Sequence, residues 1–444
     1  MRSPLLVSLV FAGAWALSAC GDDGASSSSA GGGGASSSTT TGGAGGAGNG
    51  PPTLEVVYGA PAPPAMEPET TTATVEGYVS AVGANGSLVV IGTTVRAYDA
   101  SPQGVTELPI VGDEPNLPLE TGAVRAIAPY QDGLLVAAES ALFFTKGGAL
   151  QLSMGSADLH ALGITAITSR VADDDGDGTS ELHLVLAGAD AAYELSGDSM
   201  VKWTVSGESS PPTAAFAQRD RVYVAFGHHV YEIDKGSQKA YPLVFDVGFV
   251  SAIACDSLAC EDGSLLYFAS DAGLVERGSD GAYSLYPLAD EGAPAVAVES
   301  FAFDAGRQRL YAIGGDWVLR VHAGVIPDAV ATAEEGEFPR RMAFDKLGDL
   351  WAGQGSGVKS FALGTPLSFA TDVKPIMHEY CALCHSKGEN GAPTIDFEDY
   401  DTMVEFTDVA LMRIADGSMP PPGYPAVPKE KLQILQDWAP TKAP

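Results

Sequence analysis

One cassette returns seven times between about Glu76 and Leu363, and few folds accommodate a chain built that way. It is a short β-type run, a turn of small or polar residues, and a second β-type run. The first runs read Leu88-Val89-Val90-Ile91, Leu134-Leu135-Val136-Ala137, Leu184-Val185-Leu186-Ala187, Val222-Tyr223-Val224-Ala225, Leu266-Tyr267-Phe268-Ala269, Leu310-Tyr311-Ala312-Ile313 and Leu350-Trp351-Ala352-Gly353. Their first residues lie 46, 50, 38, 44, 44 and 40 positions apart. Eight positions on, the second run opens with Leu142, Ala192, Val230, Leu274, Val318 and Val358, and Val95 opens it one residue early in the first copy.

Seven strand-rich units of near-constant length fit the four-stranded blades of a β-propeller. Two β-sandwiches are the competing arrangement, but a sandwich does not require one cassette at regular spacing. An α/β fold is disfavoured because no long amphipathic helix separates the strands. A ring must also close. The expectation is that Leu54–Tyr58, or the copy starting near Val75, completes the blade containing Leu350 and so hides a sheet edge.

After the repeat comes Cys381-Ala382-Leu383-Cys384-His385. Two thiols three apart with a histidine directly after the second form the attachment signature of c-type haem. Each thiol makes a thioether to the porphyrin, and the following imidazole is the proximal iron ligand. A redox Cys-x-x-Cys or half a zinc site is the alternative. Zinc would need a second ligand pair, and no cysteine follows Cys384 and no histidine follows His385.

Downstream, Met419 sits in Gly417-Ser418-Met419-Pro420-Pro421-Pro422. Before the motif, Val373, Ile376, Met377 and Tyr380 recur at helical spacing, with Pro375 acceptable only in a first turn. At the end, Leu432, Leu435 and Trp438 form an apolar stripe after Pro428. This order resembles a small class I cytochrome c over about the last 75 residues. The resemblance implies a small all-α domain, Met419 as distal ligand opposite His385, and one haem c. It also implies that the helices from Val373 and Lys429 pack together. Met377, Met403 and Met412 are expected to be core filler.

The amino terminus reads as an address. Met1 to Cys20 has an early Arg2, an apolar stretch and small residues before the cysteine. Leu17-Ser18-Ala19-Cys20 resembles a bacterial lipobox, which implies cleavage before Cys20 and lipid on its sulfur; a plain secretory signal is the alternative. Residues 21–52 are almost wholly Gly, Ser, Ala and Thr, a composition that stays flexible as a tether. The expected domains are therefore a signal at 1–20, a linker at 21–52, a propeller at 53–364 and a cytochrome at 365–444. The expected location is extracytoplasmic, lipid-anchored to a bacterial membrane. Of the five cysteines, Cys255 and Cys260 remain, and an oxidising compartment favours their pairing over two free thiols.

One copy carries an insertion, Asp173-Asp174-Asp175-Gly176-Asp177-Gly178-Thr179-Ser180-Glu181. Alternating carboxylates in a tight loop aim oxygens at one centre, as calcium requires. The loop resembles the calcium loops of extracytoplasmic propellers such as those of integrins, which implies Asp173, Asp175, Asp177 and Glu181 as ligands of a structural Ca2+. A solvated acidic hairpin turn is the alternative.

With 56 acids against 24 bases the formal charge is −32, which excludes nucleic acid as a partner. Acids also outnumber bases after Thr365, so a redox protein partner is expected to present a basic docking face. The expected function is one-electron transfer, with a propeller that binds a partner. The alternative is a quinohaemoprotein-like dehydrogenase, in which the propeller oxidises a substrate and the cytochrome takes the electrons. A fold alone licenses neither activity.

Overall fold

The computed structural model describes residues 54–61, 64, 68–101, 103–113, 116–130, 132–153, 156–173, 181–196, 199–243, 247–257, 260, 264–332, 341–346, 348–363, 367–382, 384–386, 395–415, 417–421 and 423–439. The cassette's first runs become strands Leu88–Thr93, Gly133–Ala138, Glu181–Ala187, Arg221–Phe226, Leu266–Ser270, Arg309–Gly314 and Asp349–Gln354. Each is the second strand of its own sheet, antiparallel to its neighbours on both sides, and the described residues form seven such sheets. The first strands of successive sheets pack side by side in chain order, and that of the seventh, Arg341–Phe344, packs on that of the first, Val79–Asn85. A closed ring of seven sheets is a seven-bladed β-propeller.

The apolar runs are unbroken because the second strand is buried on both faces, by the blade before it and the blade after. Val222, Tyr223, Val224 and Ala225 are all fully buried, so successive residues facing opposite ways are equally shielded. A strand with one wet face would alternate instead. Hydroxyls on the first strands, or directly before one in the case of Thr213, fix neighbouring blades in register. Ser80 Oγ donates to the Val124 carbonyl at 2.6 Å, Thr168 Oγ1 to Ala215 at 2.8 Å, Thr213 Oγ1 to Val250 at 2.7 Å and Ser251 Oγ to Glu299 at 3.0 Å.

Carboxylates on the third strands do the same work further out. Glu194 takes Lys235 Nζ of the next blade at 2.6 Å. Glu232 takes Tyr223 Oη at 3.0 Å and lies 3.6 Å from Arg277 of the next blade. Glu276 takes the Gly324 amide at 2.9 Å.

Closure differs from expectation. The blade containing Leu350 is completed by Glu69–Thr74, antiparallel to Gly357–Ala362 and ending directly before Val75. Leu54–Val56 instead runs parallel to Tyr283–Tyr286, giving the fifth blade a fifth strand. The threonine-rich run at Glu69–Thr74 has the β-branched content a strand favours. Val95 also moves: the third strand of the first blade starts at Ala97, because Thr93 Oγ1 accepts the Val95 and Arg96 amides and folds Val95 into the turn.

The last propeller strand ends at Ala362, and helices follow. Ser368 caps a π-helical turn, Phe369–Val373: its Oγ accepts the Thr371 amide, while its own amide donates to Asp372 at 2.8 Å. With α1 the short helix Ser156–His160 between the second and third blades, the chain continues through α2 (Lys374–Tyr380), α3 (Tyr400–Ala415) and α4 (Lys429–Trp438). Pro375 falls in the first turn of α2, where no helical hydrogen bond is lost.

The core of this segment gathers Phe369, Val373, Met377, Met403, Leu435 and Trp438. Trp438 is wholly enclosed, with its ring 5.9 Å from that of Phe369. The elements starting at Phe369 and Lys429 therefore pack together. Met377 and Met403 fill this core, but Met412 does not: it is exposed on the outer face of α3. The helices belong with the propeller to one compact unit, Gly50–Pro444, and Arg309 Nη2 donates to the Gln436 carbonyl in α4 at 2.6 Å.

Among the described residues, no helix is long and apolar enough to cross a membrane. Cys20, with the rest of the expected signal and linker, lies outside the described residues.

Candidate functional site

Cys381, Cys384, His385 and Met419 line one cavity of about 210 Å³. The first three come from the end of α2. There Cys381 and Ala382 donate their amides to the Met377 carbonyl at 2.9 and 2.8 Å, and the Cys384 and His385 amides turn back to Cys381 at 3.1 and 3.0 Å. This tight winding brings both thiols and the imidazole to the same wall. Phe397 closes it from beside His385: its amide donates to the His385 carbonyl at 3.0 Å, and the two rings lie 5.0 Å apart.

The facing wall is one side of α3, where Phe406, Val409, Ala410, Arg413 and Ile414 recur at helical spacing. Sequence reasoning passed over this helix, although its signals were present. Asp399 Oδ2 accepts the Thr402 amide at 3.0 Å as a start cap, and Gly417 follows the end with φ +72°. Met419, Pro421 and Tyr424 supply the third side, from the loop after α3. Thioether, imidazole and thiols thus share a chamber whose remaining walls are almost all carbon.

Burial shapes the chemistry of these groups. Desolvation, assisted by the nearby Cys384, pushes the Cys381 thiol up to about 11. A redox dithiol requires the opposite, a thiolate stabilised by positive surroundings. His385 is held below the ordinary imidazole range by desolvation, which favours the neutral ring. Its Nδ1 is enclosed without a hydrogen-bond partner among the described residues. His378 is exposed and bonded to Glu398 at 2.8 Å.

The other candidates fall elsewhere. Cys255 and Cys260 form a disulfide, with Cα atoms 5.8 Å apart. Asp173 and Glu181 flank the hairpin between the first two strands of the third blade, where Ala172 pairs with Glu181. Glu181 accepts the Ser196 hydroxyl at 3.1 Å. Asp175 and Asp177 lie outside the described residues. Among the described residues, no three His, Cys, Asp or Glu side chains gather as a metal-binding group. His228 and His229 stand at a hairpin, with Phe226 paired to His229. Asp304 and Asp345 cap turns, accepting the amides of Gly306 and Asp349.

No family model matches the chain, and no curated protein matches it. Solved structures share the fold at low identity. The extracellular domain of the hybrid two component system BT4673 from B. thetaiotaomicron is 11% identical at a TM-score of 0.48, over 66% of this chain and 40% of that one. The corresponding domain of BT3049 from the same organism is 12% identical at 0.49, with the same coverage. The WD40 propeller domain of Doa1 is 12% identical at 0.45, over 66% of this chain and 95% of that one. The chain thus spans about two-fifths of the length of the first two. The seven-bladed assignment rests on strand order and ring closure.

Proposed function

We propose that the chain is an exported, lipid-anchored electron carrier with one haem c, attached through Cys381 and Cys384 and ligated at iron by His385 and Met419. The observation that carries this reading is the convergence of these four side chains, from two separated stretches of sequence, on one apolar cavity. The donor set suits the group: two protonated thiols for thioether formation, a neutral imidazole and a soft thioether for the axial positions. When bound, haem supplies a one-electron ferric–ferrous couple.

The protein's own residues would set the terms of that couple. Phe397, Phe406 and Ile414 exclude water from the chamber and favour the less charged ferrous state. Met419 ligation acts in the same direction. Arg413 is the cation in the wall, suited to meet the carboxylates of a porphyrin. With both axial positions filled by protein, no site would be left for substrate chemistry, which favours carriage over catalysis.

Around this centre, Cys20 would carry the lipid and residues 21–52 the tether. Asp173, Asp175, Asp177 and Glu181 would hold a structural Ca2+. The acidic surface would favour a redox partner with a basic face.

Anaerobic redox titration of the purified chain tests the carrier reading. A single one-electron step, fully reversible without added substrate, is the expected result. A tightly bound quinone that reduces the haem only when a substrate is present would replace the carrier with the dehydrogenase.

A further inference from the structure

A second cavity, of about 370 Å³, lies at the opposite end of the blades from the Arg309–Gln436 contact. The direction follows from strand order. Arg309 opens a second strand, at the end where first strands finish, whereas the cavity is lined by Arg125 near the start of a first strand and by Leu142 at the start of a third. Its lining combines the apolar Ala137, Leu142 and Ile164 with the polar Arg125, His160 and Glu139.

Two departures from the repeat coincide here. Four first strands carry a bulge at the same position, occupied by Ser80, Arg125, Ser251 and Glu299. Ser80 and Ser251 use it to bond the next blade, and Glu299 faces Arg341 of the next blade. Arg125 instead is exposed, with no hydrogen bond or ion pair among the described residues. The second departure is α1, inserted between this blade and the next, whose last residue is His160.

The protein has 56 acids for 24 bases, so carboxylate partners for a cation are abundant. Here a guanidinium and an imidazole, neither paired with a carboxylate among the described residues, line the same cavity as Leu142 and Ile164. Glu139 is drawn aside, its Oε2 3.4 Å from the Ala123 amide.

We infer that this cavity binds a small amphipathic monocarboxylate, its head between Arg125 and His160 and its hydrocarbon over Leu142 and Ile164. The site is independent of the haem reading. Isothermal titration of the full chain with hexanoate, hexanol and hexylamine tests it. Hexanoate should bind at millimolar concentration and well above the other two. Arg125→Ala should weaken it by about tenfold, the loss of one charge-assisted contact, and Arg125→Lys should retain part of the affinity. Absence of hexanoate binding, equal binding of hexanol, or an unchanged affinity in Arg125→Ala would each overturn the assignment.

Discussion

The Met419 amide donates to the Arg413 carbonyl at 3.0 Å, tying the loop that carries the thioether to the end of the helix that walls the cavity. Ser418 Oγ also reaches that carbonyl, at 3.3 Å. The methionine is therefore positioned by backbone before any ligand arrives. Replacing its side chain should leave this anchor intact.

On the haem reading proposed above, Met419→Ala should fold and keep covalent haem, but lose the weak sulfur-to-iron absorption of the ferric protein. On that reading its potential should also fall, since the ligand assigned to favour the ferrous state would be gone. Optical spectra of oxidised and reduced protein check both. A mutant spectrum identical to wild type would remove Met419 from the iron.

The contact between α4 and the propeller should respond to pH through His322. Arg309, which holds the Gln436 carbonyl, also lies 3.5 Å from His322 Nδ1. Asp328 accepts from His322 Nε2 at 3.0 Å and from Arg320 at 3.2 Å. Burial, with Arg320 adding to it, holds the His322 pKa below its ordinary value despite Asp328. A histidine depressed in the folded state contributes fully above its unfolded value, about 6.5, and loses that contribution as pH falls from there through the folded value. Urea unfolding at a series of pH values should show stability declining below about pH 6.5, and less steeply in His322→Gln. Parallel profiles for the two proteins would contradict this role.

Blade packing gives a mutation with a built-in control. A Cβ on Gly83 would run into the side chain of Ile127 on the next blade. Gly83→Val should therefore cost about 1–3 kcal/mol by overpacking, and Ile127→Ala in the same chain should recover part of it. Additive losses in the double variant, measured by thermal unfolding, would mean that the two positions do not meet.

Much of this fold was legible because burial on both faces leaves a direct mark. The second strand of every blade reads as an uninterrupted apolar run, from Leu88 to Trp351. The closing strand was not legible: Glu69–Thr74 is polar, and Thr70, Thr71, Thr72 and Thr74 are exposed, so no apolar pattern marks its pairing with Gly357–Ala362. At the candidate site, the thiols and His385 announce themselves by spacing. Phe406 and Arg413 could be assigned to the cavity only once α3 was known to turn that face inward. Arg125 was invisible for a related reason, since its significance lies in what Ser80 and Ser251 do at the same place in other blades.

The most direct measurement is the intact mass of the mature protein, denatured, after expression alongside the maturation machinery for c-type haem. Wild type should carry the mass of one haem that survives denaturation, and the Cys381→Ser, Cys384→Ser double variant should carry none. A wild-type chain at its bare polypeptide mass, apart from any lipid on Cys20, would contradict haem attachment and with it the electron-carrier reading.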